Sequence, residues 1–347
     1  NTNGIPIIQR NSKFKLNGTV TIKTDVDLTG STIITTWVDN KVEYSRTNYL
    51  FSVEGNPTVD ITSTVTQSQF TKGALKIPSL ANKDGGSIFI DSTDLDLIRN
   101  DAGNIQNIYK KEANMFMTTP QGFLVYPLTK DYSTSTGFKV LHRKDDSRLT
   151  FNLPKVVVDI NTCALAGIVR VRRNKVKLVG GYLEDLNPSS PISPVYVFAD
   201  YTQCSQSEIE NLSVPIIGRP TKTGDNGLGY FATYTSVCGA SVKDCLQIAG
   251  WSGINGNWFR DVNIVNSKIL SVSGHANTFD MTARDTTIFR NVLAHGGGTL
   301  LIDKCIINGN NSPNGGIETR QDYACEWEGE IVIRDSKVIG SNTLVYL

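Results

Sequence analysis

The stretch VNIVNSKIL, residues 262–270, has a pattern that returns three more times before the chain ends. The other copies read MTARDTTIF, TLLIDKCII and IVIRDSKVI. Each copy has an Asn or Asp at its fifth position, and these polar residues follow one another at intervals of 19, 18 and 32: Asn266, Asp285, Asp303 and Asp335. A recurring pattern of this length constrains the fold more strongly than any other feature of the sequence.

Apolar residues have constant positions within the four copies. An apolar or small residue stands two positions before the polar one: Ile264, Ala283, Leu301 and Ile333. A β-branched residue stands three positions after it: Ile269, Ile288, Ile306 and Val338. In a continuous strand, residues five apart point to opposite faces, so both can face one core only if the chain bends between them. Asn and Asp tolerate sharp turns, and each copy therefore predicts a strand, a corner and a second strand.

Such units, repeated about every twenty residues, are typical of a solenoid in which each rung covers its neighbour. We therefore predict an all-β fold, a stacked parallel β-helix. The 32-residue interval predicts one rung with a loop insertion at residues 308–329. The alternative is an ordinary β-sandwich with similar turns.

Composition and charge exclude several classes of protein. The 347 residues have a net charge of +1, so no electrostatic bias indicates a nucleic-acid partner. No apolar run reaches about 18 residues, so we predict no membrane insertion. The six cysteines form no CxxC pair, and we predict neither a metal site nor any other cofactor. The first residue is Asn, which indicates a fragment or a processed chain.

The chain divides into three segments by composition. Residues 1–65, rich in Thr, Val and Ile, are predicted to form the first strands of the β-helix. Residues 66–150 mix strand-like pieces with polar turns and are predicted to be an elaboration on the first rungs. Residues 151–347 are predicted to be the body of the β-helix, including the insertion at 308–329.

The segment GTVTIKTDVDLTGSTI resembles the first strands of pectate-lyase-like right-handed parallel β-helices, and the corners resemble the asparagine corners of that superfamily. The irregular N-terminal elaboration and the abundance of Thr, Ser, Asn and Gly are similar to bacteriophage tailspike depolymerases. The resemblance implies a homotrimeric, extracellular spike on the virion tail. It also implies that the spike binds and depolymerises a bacterial surface polysaccharide, either capsule, exopolysaccharide or O-antigen.

The insertion GNNSPNGGIETRQDYACEWEGE is the first candidate for a catalytic site. It contains the acids Glu318, Asp322 and Glu326, together with Arg320 and Trp327. Glycosidic hydrolysis needs two carboxyl groups, one to protonate the leaving oxygen and one to activate water or attack the sugar. Aromatic and cationic side chains suit sugar stacking and anionic glycans. The alternative is a solvated loop whose charges keep it soluble.

Two histidines form the second candidate. His275 and His295 are 20 residues apart, close to the interval between corners, so we expect them on adjacent rungs near Asp280. They are suited to serve as a base or to hold a sugar carboxylate, and Arg284 to pair with glycan acids. The alternative is that these groups only satisfy hydrogen bonds and ion pairs within the fold.

Aromatic residues near Gly-rich segments form the third candidate. Tyr230 and Trp258 are suited to stack on sugar faces, although large aromatic side chains also fill protein cores. We favour hydrolysis by a carboxylate pair drawn from Glu318, Asp322, Asp280 and Glu326. The alternatives are a polysaccharide lyase that uses His275, His295 or a tyrosine, and a non-catalytic receptor-binding spike or adhesin.

Overall fold

The structure, a computed structural model, describes residues 5–41, 45–158, 163–186, 195–214, 229–248, 250–309, 316–320, 322, 327–340 and 345–346. Nearly all of its regular secondary structure is β-strand, with short 3-10 helices at Thr62–Thr64, Gln67–Gln69 and Pro78–Leu80. The strands are β1 Ile7–Ile8, β2 Lys13–Lys15, β3 Val20–Ile22, β4 Val26–Asp27, β5 Thr32–Ile34, β6 Tyr49–Glu54, β7 Thr58–Asp60, β8 Gly86–Asp101, β9 Asn104–Phe116, β10 Lys139–Lys144, β11 Leu149–Val158, β12 Leu165–Arg172, β13 Val176–Asp185, β14 Val195–Glu210, β15 Ser213–Val214, β16 Tyr230–Lys243, β17 Leu246–Gln247, β18 Ser252–Asn257, β19 Arg260–Val265, β20 Lys268–Ile269, β21 Val272–Gly274, β22 Thr278–Arg284, β23 Thr287–Ile288, β24 Val292–Ala294, β25 Gly296–Asp303, β26 Ile306–Asn308, β27 Ile317–Thr319, β28 Trp327–Arg334, β29 Lys337–Ile339 and β30 Val345–Tyr346.

Most strands pair in parallel and form three faces. Face A contains β1, β4, the first halves of β11 and β13, the second halves of β14 and β16, and then β19, β22, β25 and β28. Face B contains β2, β5, the second halves of β11 and β13, and then β15, β17, β20, β23, β26 and β29. Face C contains β3, β6, β12, the first halves of β14 and β16, and then β18, β21, β24, β27 and β30.

The chain visits faces A, B and C in turn, and each circuit is one rung. This confirms the predicted right-handed parallel β-helix. Inside it, equivalent residues of successive rungs stack in register, as Ile264, Ala283 and Ile302 do on face A. Each of these is at most 3% exposed. Burying a large aliphatic side chain such as that of Ile264 or Ile302 contributes about 1.5–3 kcal/mol, so the stacked interior is the main source of stability.

A row of residues with left-handed backbone conformation forms the corner between faces A and B. Their φ angles lie between +46° and +57°, at Asn211, Asp244, Asn266, Asp285, Lys304 and Asp335. The corner N–H groups continue the ladder to the next rung: that of Asn266 donates to the carbonyl of Arg284 at 3.1 Å. The predicted corners at Asn266, Asp285 and Asp335 are therefore confirmed.

The predicted corner at Asp303 is wrong by one residue, because Lys304 adopts the left-handed conformation. Asp303 is the last residue of β25 and is 3% exposed. Its carboxylate accepts hydrogen bonds from Arg334 and from Arg284, the latter at 3.1 Å. The bonds from Arg334 and then Arg284 hold the pKa of Asp303 at about 2. Asp303 thus forms ion pairs with two guanidinium groups and does not make the corner. With the corner at Lys304, the three corners Asn266, Asp285 and Lys304 are each 19 residues apart.

The same shift moves the apolar positions of this copy. Ile302 is 1% exposed and pairs with Ala283, whereas the predicted Leu301 is only partly buried. Ile307 is fully buried, whereas the predicted Ile306 is 46% exposed. Leu301 and Ile302 are both apolar, as are Ile306 and Ile307. The sequence therefore does not show which residue of each pair faces the core.

The insertion at 308–329 is divided by a strand of the β-helix. Strand β27 lies inside it and pairs with β24 on face C, and β28 already begins within it on face A. The extra residues therefore form two connections, one before and one after β27. Most of these connecting residues lie outside the described part of the chain.

Residues 58–144 carry a separate antiparallel sheet in the order β7–β10–β8–β9, which we call the module. Its own core includes fully buried Phe70, Ile77, Ile88 and Val140. Strands β8 and β9 form a long hairpin that extends from this core. The predicted division of the chain at residues 65 and 150 stays a prediction. Within the described ranges, no helix has the length and apolar character needed to cross a bilayer.

We predict that the left-handed corner limits which residues are tolerated at position 285. Asp285 is exposed with φ +50°, so Asp285→Val places a β-branched side chain in a strained conformation that costs about 1–2 kcal/mol. Asp285→Gly, the matched control, should unfold close to the wild type because Gly adopts this conformation freely. Urea unfolding of the three proteins measures the difference. Equal losses in both variants would contradict a backbone origin.

Candidate functional site

A group of charged side chains lies where the β8–β9 hairpin of the module meets the turn between faces C and A. Arg99 Nε donates to Asp322 Oδ2 at 2.7 Å. Lys130 Nζ donates to Asp96 Oδ1 at 2.9 Å, and Asn277 Nδ2 donates to Asp96 Oδ2. Residues from both the module and the β-helix therefore build one site. We call it the module–helix cluster, and it contains Asp96, Arg99, Lys130, Tyr230, His275, Asn277, His295, Arg320 and Asp322.

Asp322 is held between two arginines. Arg320 makes a two-pronged contact with it, from Nε at 3.0 Å and Nη2 at 2.8 Å, and Arg99 adds a third bond. Arg320 is itself oriented by Ser273, whose Oγ accepts from Nη1 at 3.1 Å. Burial raises the pKa of Asp322, but the hydrogen bonds and charges of Arg320 and Arg99 outweigh it and leave that pKa below its usual range. Asp322 is therefore an ionised carboxylate at neutral pH.

The two histidines follow β21 and β24, which pair in register, so they occupy equivalent positions on adjacent rungs. Burial, followed by the positive charge of Arg320, lowers the pKa of His275 to about 3. Burial, followed by Lys130, lowers the pKa of His295 to about 4. Both imidazoles are therefore neutral at pH 7.

The hydrogen bond to His295 decides what that ring can do. The backbone N–H of Asn277 donates to His295 Nδ1 at 2.9 Å. A neutral imidazole that accepts at Nδ1 carries its proton on Nε2, so the tautomer follows from this contact. His295 thus presents a donor to its surroundings and is poorly suited to remove a proton. His275 is the better candidate for a base.

Tyr230 completes the cluster at the start of β16. It is 8% exposed, and its ring meets Tyr196 edge-on with centroids 5.3 Å apart. Burial raises the pKa of Tyr230, while the charges of Arg320 and Arg99 oppose that rise. The hydroxyl is therefore protonated at neutral pH and suited to donate a hydrogen bond.

The two predicted tryptophans lie on the turn between faces C and A and on face A. Trp258 is partly buried with φ +52°, and Lys111 Nζ lies 5.1 Å from its ring centroid. Trp327 is also partly buried, and its Nε1 donates to the carbonyl of Gly298 at 3.1 Å. Both rings thus pack on the protein along much of their surface, and their predicted role in sugar binding stays a prediction.

Glu318 has an unusual position on face C. In β27 the neighbouring Ile317 pairs with Val292 in the core, so Glu318 points to the outside of the β-helix. It is nevertheless only 5% exposed. Asn291 Nδ2 donates to its Oε1 at 3.0 Å. An outward-facing carboxyl group that is shielded from water, two residues before Arg320, is the best placed candidate for proton transfer.

Other predicted residues lie in ion pairs of the fold. Asp280 accepts from Arg260 Nε at 3.1 Å and from the backbone N–H of Thr299 at 3.1 Å. Arg284 belongs to the Asp303 pair described above and lies on the corner between faces A and B. Glu326 lies outside the described residues. The predicted roles of these three in catalysis or binding stay predictions.

A buried pair docks the module beside Asp280. Glu112 of β9 is 5% exposed, and its Oε1 lies 3.7 Å from Arg260 Nη1. Burial raises the pKa of Glu112 to about 7, although Arg260 and hydrogen bonds from Thr129 oppose the rise. The Arg260 guanidinium also lies over the ring of Tyr126, 4.7 Å from its centroid. These contacts position the hairpin against the β-helix.

Sequence reasoning missed the module's contribution, namely Asp96, Arg99 and Lys130. Arg99 and its partner Asp322 are 223 residues apart in the chain. No local spacing connects residues at that distance. The only signal is the concentration of charges in the DSTDLDLIRND segment, whose acids resemble a solvated strand. Within the described part of the chain, no three His, Cys, Asp or Glu side chains form a group that could hold a metal ion.

No protein-family model and no curated protein matches the chain. Among solved structures, it is similar to the tailspike protein gp49 from Pseudomonas phage LKA1, with a TM-score of 0.63 and 13% identity over 97% of this chain and 55% of that one. It is also similar to the tailspike gp61 from Pseudomonas phage phi297, with a TM-score of 0.50 and 12% identity over 98% of this chain and 67% of that one. The chain thus spans just over half the length of the first protein. The likeness shows the fold, a tailspike-like parallel β-helix.

We predict that His295 makes the protein less stable in acid. The unfolded chain takes up its imidazole proton near pH 6.5, whereas the folded pKa is about 4, so stability falls as the pH drops from about 6.5 to about 4. His295→Asn keeps an acceptor near the Nδ1 position but does not titrate. Its thermal unfolding midpoint should therefore fall less between pH 7 and pH 4 than that of the wild type. If the unfolding midpoint fell equally in the two proteins between pH 7 and pH 4, the result would contradict a buried neutral histidine at position 295.

Proposed function

We propose that this chain is part of a phage tailspike that binds and depolymerises a bacterial surface polysaccharide, most simply by glycosidic hydrolysis. The observation that carries the proposal is Glu318, a carboxyl group on the outer wall of the β-helix that is almost completely shielded from water. The tailspike-like fold supports the same function. We further propose that the spike is a homotrimer on the virion tail.

Hydrolysis assigns different roles to two carboxyl groups. Glu318 is shielded from water, so we assign it the protonation of the leaving oxygen, and the hydrogen bond from Asn291 orients its carboxyl group. Asp322 is ionised by its arginine partners, so we assign it the stabilisation of positive charge at the reacting sugar carbon or the orientation of water. The neutral Tyr230 hydroxyl and the Nε2–H of neutral His295 are donors suited to sugar hydroxyls.

One observation favours a second reaction, elimination by a lyase. His275 is neutral and lies close enough to Arg320 for that charge to lower its pKa. A neutral imidazole beside a guanidinium group is the arrangement needed to remove a proton next to a neutralised sugar carboxylate. The two reactions leave different products, because a lyase leaves an unsaturated uronate and a hydrolase leaves only a new reducing end.

We predict that Glu318→Gln lowers the turnover of the cleaved polysaccharide by about 100-fold or more while retaining binding, because the amide keeps the shape but cannot donate a proton. The measurement is a digestion of capsule and exopolysaccharide preparations, following reducing ends and the ultraviolet absorbance of unsaturated uronates. Reducing ends without absorbance support hydrolysis, and absorbance supports the lyase.

The matched control is Glu330→Gln, an exposed glutamate on β28 that should leave turnover unchanged. Unchanged turnover in Glu318→Gln would mean that another residue protonates the leaving oxygen. Binding without cleavage by the wild type, across a panel that includes the glycan of the host, would contradict the enzymatic proposal and leave a receptor-binding spike.

A further inference from the structure

Arg99 has two hydrogen-bonding edges in different surroundings. Its inner edge, at Nε, is bonded to Asp322 at 2.7 Å, and both of these side chains are about one-fifth exposed. Its outer edge, at Nη2, is bonded to Asp101 at 2.9 Å, and the Asp101 side chain is 54% exposed. One guanidinium group therefore connects a shielded carboxylate to a solvent-exposed one.

The inner contact fixes the orientation of the outer edge. Asp322 is itself held by the two-pronged contact from Arg320, so the Arg99 side chain is anchored on a rigid support. The planar guanidinium then presents Nη2 at a constant place near the surface. The same guanidinium group bonds Asp322 through Nε, so the outer edge lies on a residue of the module–helix cluster.

The ion pair between Asp101 and Arg99 is weak. It is the last residue of β8, next to the turn at Ala102 and Gly103, where both φ angles are positive. Exposed ion pairs of this kind contribute little to stability because water competes for both partners. A carboxylate on a ligand would form the same charge-assisted bond and replace Asp101 at little cost.

We propose that Arg99 binds the carboxylate of an acidic sugar, and that Asp101 occupies this place in the free protein. Arg99 is then a specificity-determining residue, and the polysaccharide carries a uronic acid or a pyruvate ketal. This inference rests on the proposed polysaccharide-binding function and adds the substrate class. For this contact Asp322 serves as the anchor of Arg99, in addition to the role in hydrolysis proposed above, and the hairpin brings the acidic-sugar contact to the wall of the β-helix.

The test is a titration of the whole chain with sodium glucuronate, with a pyruvate-ketal galactoside and with glucose, followed by nuclear magnetic resonance. We expect the wild type to bind at least one acidic sugar, to bind glucose more weakly, and to lose affinity for the acidic sugar as salt is raised. Asp101→Asn should raise the affinity for the acidic sugar by about three- to tenfold, because a competing carboxylate is removed. Preference for glucuronate or for the ketal identifies the source of the carboxylate.

Arg99→Gln should lower the affinity for the acidic sugar by about tenfold or more. The matched control is Arg334→Gln, which removes an arginine paired with Asp303 on another part of the β-helix and should leave the affinity unchanged. Because Arg99→Gln also removes the anchor to Asp322, the Asp101→Asn variant provides the independent readout. Its substitution lies at the exposed end of the hairpin and leaves that anchor in place.

Equal affinities in Asp101→Asn and the wild type, or equal binding of glucose and both acidic sugars, would overturn the inference. That failure is distinct from failure of the proposed function. A neutral polysaccharide that is cleaved in the Glu318-dependent assay would retain the function and reject the acidic substrate. Binding of an acidic sugar without any polysaccharide being bound or cleaved would reject the proposed function and retain the carboxylate contact.

Discussion

The vertical stacking of rungs is the constraint on which the rest of the molecule depends. Each rung closes only if its corner turns at the same place as the corners above and below. The left-handed row from Asn211 to Asp335 provides that alignment between faces A and B. When the corners are aligned from rung to rung, the inward-facing residues of successive rungs come into contact, and the backbone hydrogen bonds continue from one rung to the next. A shift of one residue would send every apolar side chain to the opposite face.

The closed interior leaves the outer wall and the connections available for chemistry. Polar groups on that wall are shielded only where another part of the chain covers them. The module provides such cover through contacts between Glu112 and Arg260 and between Asp96, Lys130 and Asn277. In that environment burial and nearby cations lower the pKa values of both histidines, and the bonds from Arg320 and Arg99 lower that of Asp322 against the effect of burial. At neutral pH the histidines are therefore neutral and Asp322 is ionised.

Prediction from the sequence was accurate where local chemistry and periodicity agreed. Asn266, Asp285 and Asp335 were assigned correctly as corners because Asn and Asp favour the left-handed conformation that the turn requires. The predicted corner in the third copy was wrong because Lys304, a residue without that preference, makes the corner, while Asp303 pairs with arginines. The candidate site was found in part. Glu318, Arg320 and Asp322 were recognised as an acidic and basic group, but Arg99 and Asp96 had no local signal that connected them to it.

The repeat of apolar and corner residues is sufficient to specify strands, corners and a parallel β-helix, because those features arise from contacts between residues one rung apart. Tertiary structure alone decided that the module's hairpin lies against the later rungs and that Arg99 bonds Asp322 across 223 residues. It also decided that Glu318, in a segment resembling a solvated loop, is an outward-facing but shielded strand residue. The physical reason is that burial and charge pairing depend on which distant surfaces pack together, and no periodicity in the chain encodes that choice.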